Sequence, residues 1–89
     1  MKNESSMNIT IKYRAQLAAA VKIDTESISV KNIKEVLSHI KKQYGSSAVK
    51  MAKTMLIVVN GQSILHLKHF KTVLKVGDEV SFLPICGGG

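Results

Sequence analysis

A single amphipathic helix with its own start and stop signals constrains this chain more than any other feature. Asn32 is a strong N-cap, and Glu35 stands three residues later, where a capping box places the acid that reaches back to an orphan backbone donor. Beyond the cap, Ile33, Val36, Leu37, Ile40 and Tyr44 follow the i, i+3, i+4, i+7, i+11 spacing of one helical face. Gly45 supplies an αL stop, and Lys41 and Lys42 lie near the negative end of the helix dipole. The spacing predicts a helix over Asn32–Tyr44, and whatever surrounds it must cover its apolar stripe.

The flanking segments read as strands. Met7, Ile9, Ile11 and Tyr13 alternate with Asn8, Thr10, Lys12 and Arg14, the period of a half-buried strand. Asp24–Val30 carries Thr25, Ile28 and Val30 and predicts a modest strand pairing back on the first. Between them, Ala15–Val21 is too short for a free-standing helix and predicts a connecting turn that docks Leu17 and Val21. After the helix, Ser46–Thr54 fits either a short helical turn or an ordered loop. Met55–Val59 is a continuous apolar run ending at Asn60-Gly61, whose residues tolerate the positive φ of a type I′ turn, so a buried strand and a hairpin follow. Ile64 and Leu67 carry the return, Phe70, Val73 and Leu74 cross the domain edge, and Val76-Gly77-Asp78-Glu79 turns into a last strand, Val80–Leu83. Pro84 ends that strand, because it offers no ladder donor. Alternation makes one of Phe82 and Leu83 face the core without deciding which.

One helix across a mixed sheet is the α+β solution for this order of elements. With 89 residues, the chain can bury about 60–65% of its unfolded surface, enough for one core and not two. The expected organisation is a disordered polar lead over residues 1–6, one domain over 7–84, and a flexible tail over 85–89.

Charge and cysteine usage narrow the function classes. Thirteen Lys and Arg against six Asp and Glu give a net charge of +7, but the basic residues are scattered from Lys2 to Lys75, which reads as a solvated surface and not as a nucleic-acid groove. The aromatics Tyr13, Tyr44, Phe70 and Phe82 form no base-stacking motif. No apolar run approaches the roughly 20 residues of a membrane span, and Met1-Lys2-Asn3-Glu4-Ser5-Ser6 lacks a secretory core, so a cytoplasmic location is expected. The lone Cys86 fits a reducing compartment and has no recognisable base beside it. His66 and His69, without nearby Cys or carboxylates, read as surface residues and not as a metal site, and His39 falls off the apolar stripe and is expected to be solvated. Met51 and Met55 read as packing.

Three stretches carry a resemblance. Ile57-Val58-Val59-Asn60-Gly61, the Val76-Gly77-Asp78-Glu79-Val80 turn and strand, and Phe82-Leu83-Pro84-Ile85-Cys86-Gly87-Gly88-Gly89 together resemble the ubiquitin-like β-grasp sulfur carriers of the MoaD/ThiS type. The helix entry Asn32-Ile33-Lys34-Glu35-Val36-Leu37 is similar to theirs as well. The Phe82-Leu83-Pro84 pattern and the full-length helix look most like the small subunit of molybdopterin synthase, whereas the triple glycine is more usual in the carrier of thiazole synthesis.

The resemblance implies a ubiquitin-like β-grasp fold and a carrier with no turnover of its own. Gly89 would be the site where AMP and then sulfur are attached, through its terminal carboxylate, with Gly88 and Gly87 giving access to a narrow partner channel. Phe82, Leu83, Pro84, Ile85 and Cys86 would form the partner-binding segment. The implied partners are an adenylating enzyme that consumes ATP, a sulfur donor protein, and the large catalytic subunit of molybdopterin synthase or an equivalent acceptor. No cofactor would be held stably. A ubiquitin-like protein modifier, with the same carboxylate acylating a lysine, and a basic binding module are the other classes open to such a chain.

Overall fold

The computed structural model describes residues 8–85. The elements in chain order are β1 (Asn8–Tyr13), α1 (Ala15–Val21), β2 (Thr25–Ser29), α2 (Ile33–Tyr44), α3 (Ser46–Lys53), β3 (Leu56–Val59), β4 (Gln62–Ser63) and β5 (Glu79–Leu83). Two 3-10 turns, Ile64–His66 and His69–Lys71, lie between β4 and β5. The strands form one mixed sheet in the order β2-β1-β5-β3-β4, with β1 and β5 parallel and every other pair antiparallel. This is the expected α+β layer, with α2 as the main helix.

The apolar alternation of β1 becomes burial of Ile9, Ile11 and Tyr13, and β5 contributes Val80 and Phe82 to the same face. Against them lie Ile33, Val36 and Ile40 of α2 and Leu17 of α1, all fully buried. Each such large side chain contributes about 1.5–3 kcal/mol by leaving water.

Helix α2 starts where the sequence places it, since Asn32 Oδ1 accepts from the Glu35 amide at 2.9 Å. The returning carboxylate lands one residue earlier than in a strict box, with the Lys31 amide donating to Glu35 Oε1 at 2.8 Å. Gly45 has positive φ as expected, but with φ 100° and ψ 171° it lies outside the αL region. The chain therefore passes directly from α2 into α3, a helix over Ser46–Lys53 with Thr54 at its end, which buries Ala48, Val49 and Ala52.

The expected turn over Ala15–Val21 is instead a helix. Alanine-rich sequence costs little to wind, and Leu17 and Val21, four apart on one face, are both buried and tie it to the core. Its end is closed by Lys22 in the αL conformation, whose amide donates to Ala18 O at 2.8 Å. Tertiary packing supplies what an isolated segment of this length lacks.

The hairpin follows the predicted turn chemistry, with Asn60 at φ 51° and Gly61 at φ 86°. Its return strand is shorter than the sequence suggests, because Ile64 leaves the ladder to bury itself in a 3-10 turn. Residues 72–74 then cross back to the start of α2, where the Ile33 amide donates to Thr72 O at 3.1 Å and the Leu74 amide to Lys31 O at 2.8 Å. Asn60 also pins the start of β5: its Oδ1 accepts from the Glu79 amide at 2.9 Å, and its Nδ2 donates to Asp78 Oδ1 at 3.0 Å.

Candidate functional site

Strand β5 launches the C-terminal segment from the middle of the sheet. It pairs with β1 from Thr10↔Glu79 to Tyr13↔Phe82, and with β3 from Val59↔Val80 to Leu56↔Leu83. A strand paired on both edges is held firmly up to its last ladder residue. Pro84 follows and is exposed, and Ile85 is 65% exposed. Cys86, Gly87, Gly88 and Gly89, singled out from the sequence, lie outside the described residues, as does Met7 at the start of the first predicted strand.

The register decides the open question of parity. Phe82 is 0% exposed, stacked on Tyr13 with ring centroids 6.1 Å apart and planes 16° from parallel. It is a core residue and leaves the set of partner-binding candidates, because a ring sealed between β1 and β3 has no surface to offer. Leu83 points to the opposite face, directly across from Leu56, and both are half-buried. That face also carries Val58, and the Lys12–Glu79 ion pair at 2.9 Å.

Next to the exit of β5, Leu56, Ile64, Leu65, Phe70 and Ile85 line a shallow groove of about 230 Å³. Leu65 and Ile85 are among the most exposed large apolar side chains of the domain. Ile85 is thus brought beside Leu56 and Leu65, and Leu83 lies across the ladder from Leu56; reading the sequence alone did not single out Leu56 and Leu65. For Leu56 the only sequence signal is its parity counted back from Asn60-Gly61, and for Leu65 there is none, because its exposure depends on the turn that follows β4.

A second cluster supports the first from behind. Glu26 Oε1 accepts from the Tyr13 hydroxyl at 2.7 Å and from the Tyr44 hydroxyl at 3.0 Å, while Glu26 Oε2 lies 3.1 Å from His39 Nε2. Burial, and then the hydrogen bond and charge of Glu26, push the Tyr44 phenol up to about 12 and the Tyr13 phenol higher still. His39 is therefore not solvated as its place off the stripe suggested; it is half-buried and engaged by a carboxylate from β2. The cluster can hold Tyr13, and through it Phe82, in place. His66 and His69 are surface side chains, and among the described residues no three His, Cys, Asp or Glu groups converge as metal ligands.

Comparison with known proteins follows from this geometry. A family model described as the ThiS family matches residues 11–89. No curated protein sequence matches the chain. Among solved structures, small archaeal modifier protein 1 from Methanosarcina acetivorans is 25% identical, covers 97% of this chain and 100% of its own, and superposes with a TM-score of 0.78. A chain of the complex of subunits 1 and 2 of molybdopterin-converting factor from Helicobacter pylori is 21% identical over 93% of this chain and 100% of its own, at a TM-score of 0.65. One from the BexX/CysO complex of Amycolatopsis orientalis is 15% identical over 91% and 99%, at 0.76. The fold is that of the ubiquitin-like β-grasp proteins.

Proposed function

The chain belongs to the ThiS family and is a ubiquitin-like sulfur carrier of the ThiS/MoaD type, and from that premise we propose that the carboxylate of Gly89 is its working group, serving molybdopterin synthesis. A partner enzyme transfers AMP from ATP to that carboxylate, releasing pyrophosphate. Sulfide-level sulfur from a donor then displaces AMP and leaves a thiocarboxylate; its sulfur attacks the acceptor's substrate, and water hydrolyses the acyl–sulfur bond, leaving the sulfur on the substrate and returning the carboxylate. Small carriers of this type are non-catalytic by themselves, so the chemistry belongs to their partner enzymes.

The observation that carries this reading is the family match continuing from Ile11 through Gly87-Gly88-Gly89. The described structure supports it physically: a strand clamped on both edges ends at Leu83, and exposed Pro84 and Ile85 follow. Leu83, Pro84 and Ile85, with Leu56, are the docking residues we assign beside that exit, since an apolar patch next to a working group suits an interface. Phe82-Leu83-Pro84 together with the full-length α2 favours the molybdopterin acceptor over the thiazole one.

Intact-mass measurement after incubation with ATP, an adenylating enzyme and a sulfur donor tests the carrier chemistry. The expected result is a gain equal to replacing one oxygen by sulfur, mapped to the C-terminal peptide. No gain with competent adenylating enzymes would overturn it. A protein-modifier role is the second reading, favoured by the likeness to small archaeal modifier protein 1 over nearly the whole chain. Reduction-resistant conjugates of higher mass in the native cell would select it.

A further inference from the structure

Two helices of this domain contribute to one groove. On α2, Lys34, Leu37 and Lys41 fall at i, i+3 and i+7, and on α3, Lys53 lies four residues after Val49 and three after Lys50. Together with Phe70, Ser38 and Ser46 they line a groove of about 470 Å³. Its floor is apolar, from buried Leu37 and Val49 and from Phe70, which is 41% exposed. Its rim is four lysines and no acid. Among the described residues, the ion pairs are Lys12–Glu79 and His39–Glu26, so no carboxylate pairs with any of the four.

Helix stability accounts for only part of this arrangement. Lys41, Lys50 and Lys53 lie in the last turns of their helices, where a cation complements the dipole. Lys34 lies in the first turn of α2, where a cation opposes the dipole, and it still joins the rim.

We propose that this groove is a docking site for an acidic protein segment that inserts one large apolar side chain between carboxylates. Charge complementarity selects the occupant. A second copy of the chain, itself at +7, would bring like charge to the rim. Nucleic acid would meet only one aromatic, Phe70, with no platform for successive bases. The groove does not depend on what the tail carries, and a failure of the sulfur chemistry would leave it untouched.

The test is a titration of the isotope-labelled full chain with a synthetic peptide carrying one Leu flanked on both sides by Glu, followed by amide chemical shifts. Saturable shifts centred on Leu37, Val49 and Phe70 are expected. Binding should weaken about tenfold in Lys41→Glu/Lys50→Glu, fall with Phe70→Ala or with Ser in place of the peptide's Leu, and decline with salt. The control Lys22→Glu/Lys75→Glu, with the same charge change away from the groove, should bind as the native chain does. Equal weakening in the control, shifts spread over all lysine-bearing surfaces, or no saturable binding would overturn the proposal. So would tighter occupation of the groove by an oligothymidylate of equal charge, or peptide-free self-association through it.

Discussion

The hydroxyl of Tyr13 on β1 donates to Glu26 Oε1 on β2 at 2.7 Å, although the two strands are separated by the whole of α1. Tyr44, at the end of α2, donates to the same oxygen at 3.0 Å. One carboxylate therefore joins two strands and the main helix. Tyr13 is buried, so removing Glu26 takes away the acceptor that satisfies its hydroxyl. Glu26→Ala is expected to cost about 2 kcal/mol, and Tyr44→Phe, which leaves Tyr13 satisfied, less. Urea titrations of both variants, read by circular dichroism, check the order. Equal stability of Glu26→Ala and the native chain would refute the role given to Glu26.

The same cluster sets an alkaline limit. In the folded chain the Tyr44 phenol is pushed from 10.0 up to about 12, first by burial and then by Glu26, and Tyr13 is displaced in the same direction. Above pH 10.0 the unfolded chain releases these protons while the folded chain keeps them, so unfolding gains from each further rise. The contribution is fully present below pH 10.0 and is lost as pH climbs through about 12. Urea midpoints measured across that interval should fall, less steeply in Tyr44→Phe. Identical slopes in the two proteins would rule out Tyr44 as a source.

Those tyrosines also mark where sequence reading succeeds and where it stops. Periodicity carries β1, α2 and β5, because each has enough apolar positions for its face to be counted, and Asn60-Gly61 carries its turn because few residue types tolerate positive φ at both positions. Helix α1 has only Leu17 and Val21 to declare its face, and what makes it helical is a core assembled from distant residues. His39 reads as a surface residue until Glu26, thirteen positions earlier, is brought beside it. The choice between Phe82 and Leu83 needs the register with Ile57, which no local pattern contains. The tail could be singled out as a motif, and its last four residues lie outside the described structure; the apolar face around Leu56 depends on strand pairing, which no local pattern contains.

Phe82 and Ile85 separate folding from docking within one short segment. Phe82 is sealed in the core and stacked on Tyr13, so Phe82→Ala should cost about 3–5 kcal/mol, a large share of the stability of a domain this size. Ile85 is exposed beyond the last ladder pair, and Ile85→Ala should change stability by roughly 0.5 kcal/mol or less. If Ile85 anchors a partner, its removal weakens binding to the adenylating enzyme by about tenfold. Thermal melts and a binding titration on the two variants read both effects. A stable, fully folded Phe82→Ala would contradict the core assignment, and undiminished binding by Ile85→Ala would remove it from the interface.

Extending the chain by one alanine after Gly89 tests the working group most directly. The ladder pairing of β5 ends at Leu83, six residues before Gly89, so the melting temperature of the extended chain should equal that of the native chain. The carboxylate, however, moves onto a residue whose Cβ restricts passage through a narrow channel and narrows the backbone angles open to the chain end. Adenylation and sulfur loading in the extended chain should drop below detection by intact mass while its melt stays unchanged. Alanine in place of Gly88, which keeps the terminal carboxylate on Gly89, should load more slowly but still load. An extended chain that accepts sulfur as readily as the native one would show that the carboxylate of Gly89 is not the group that carries it.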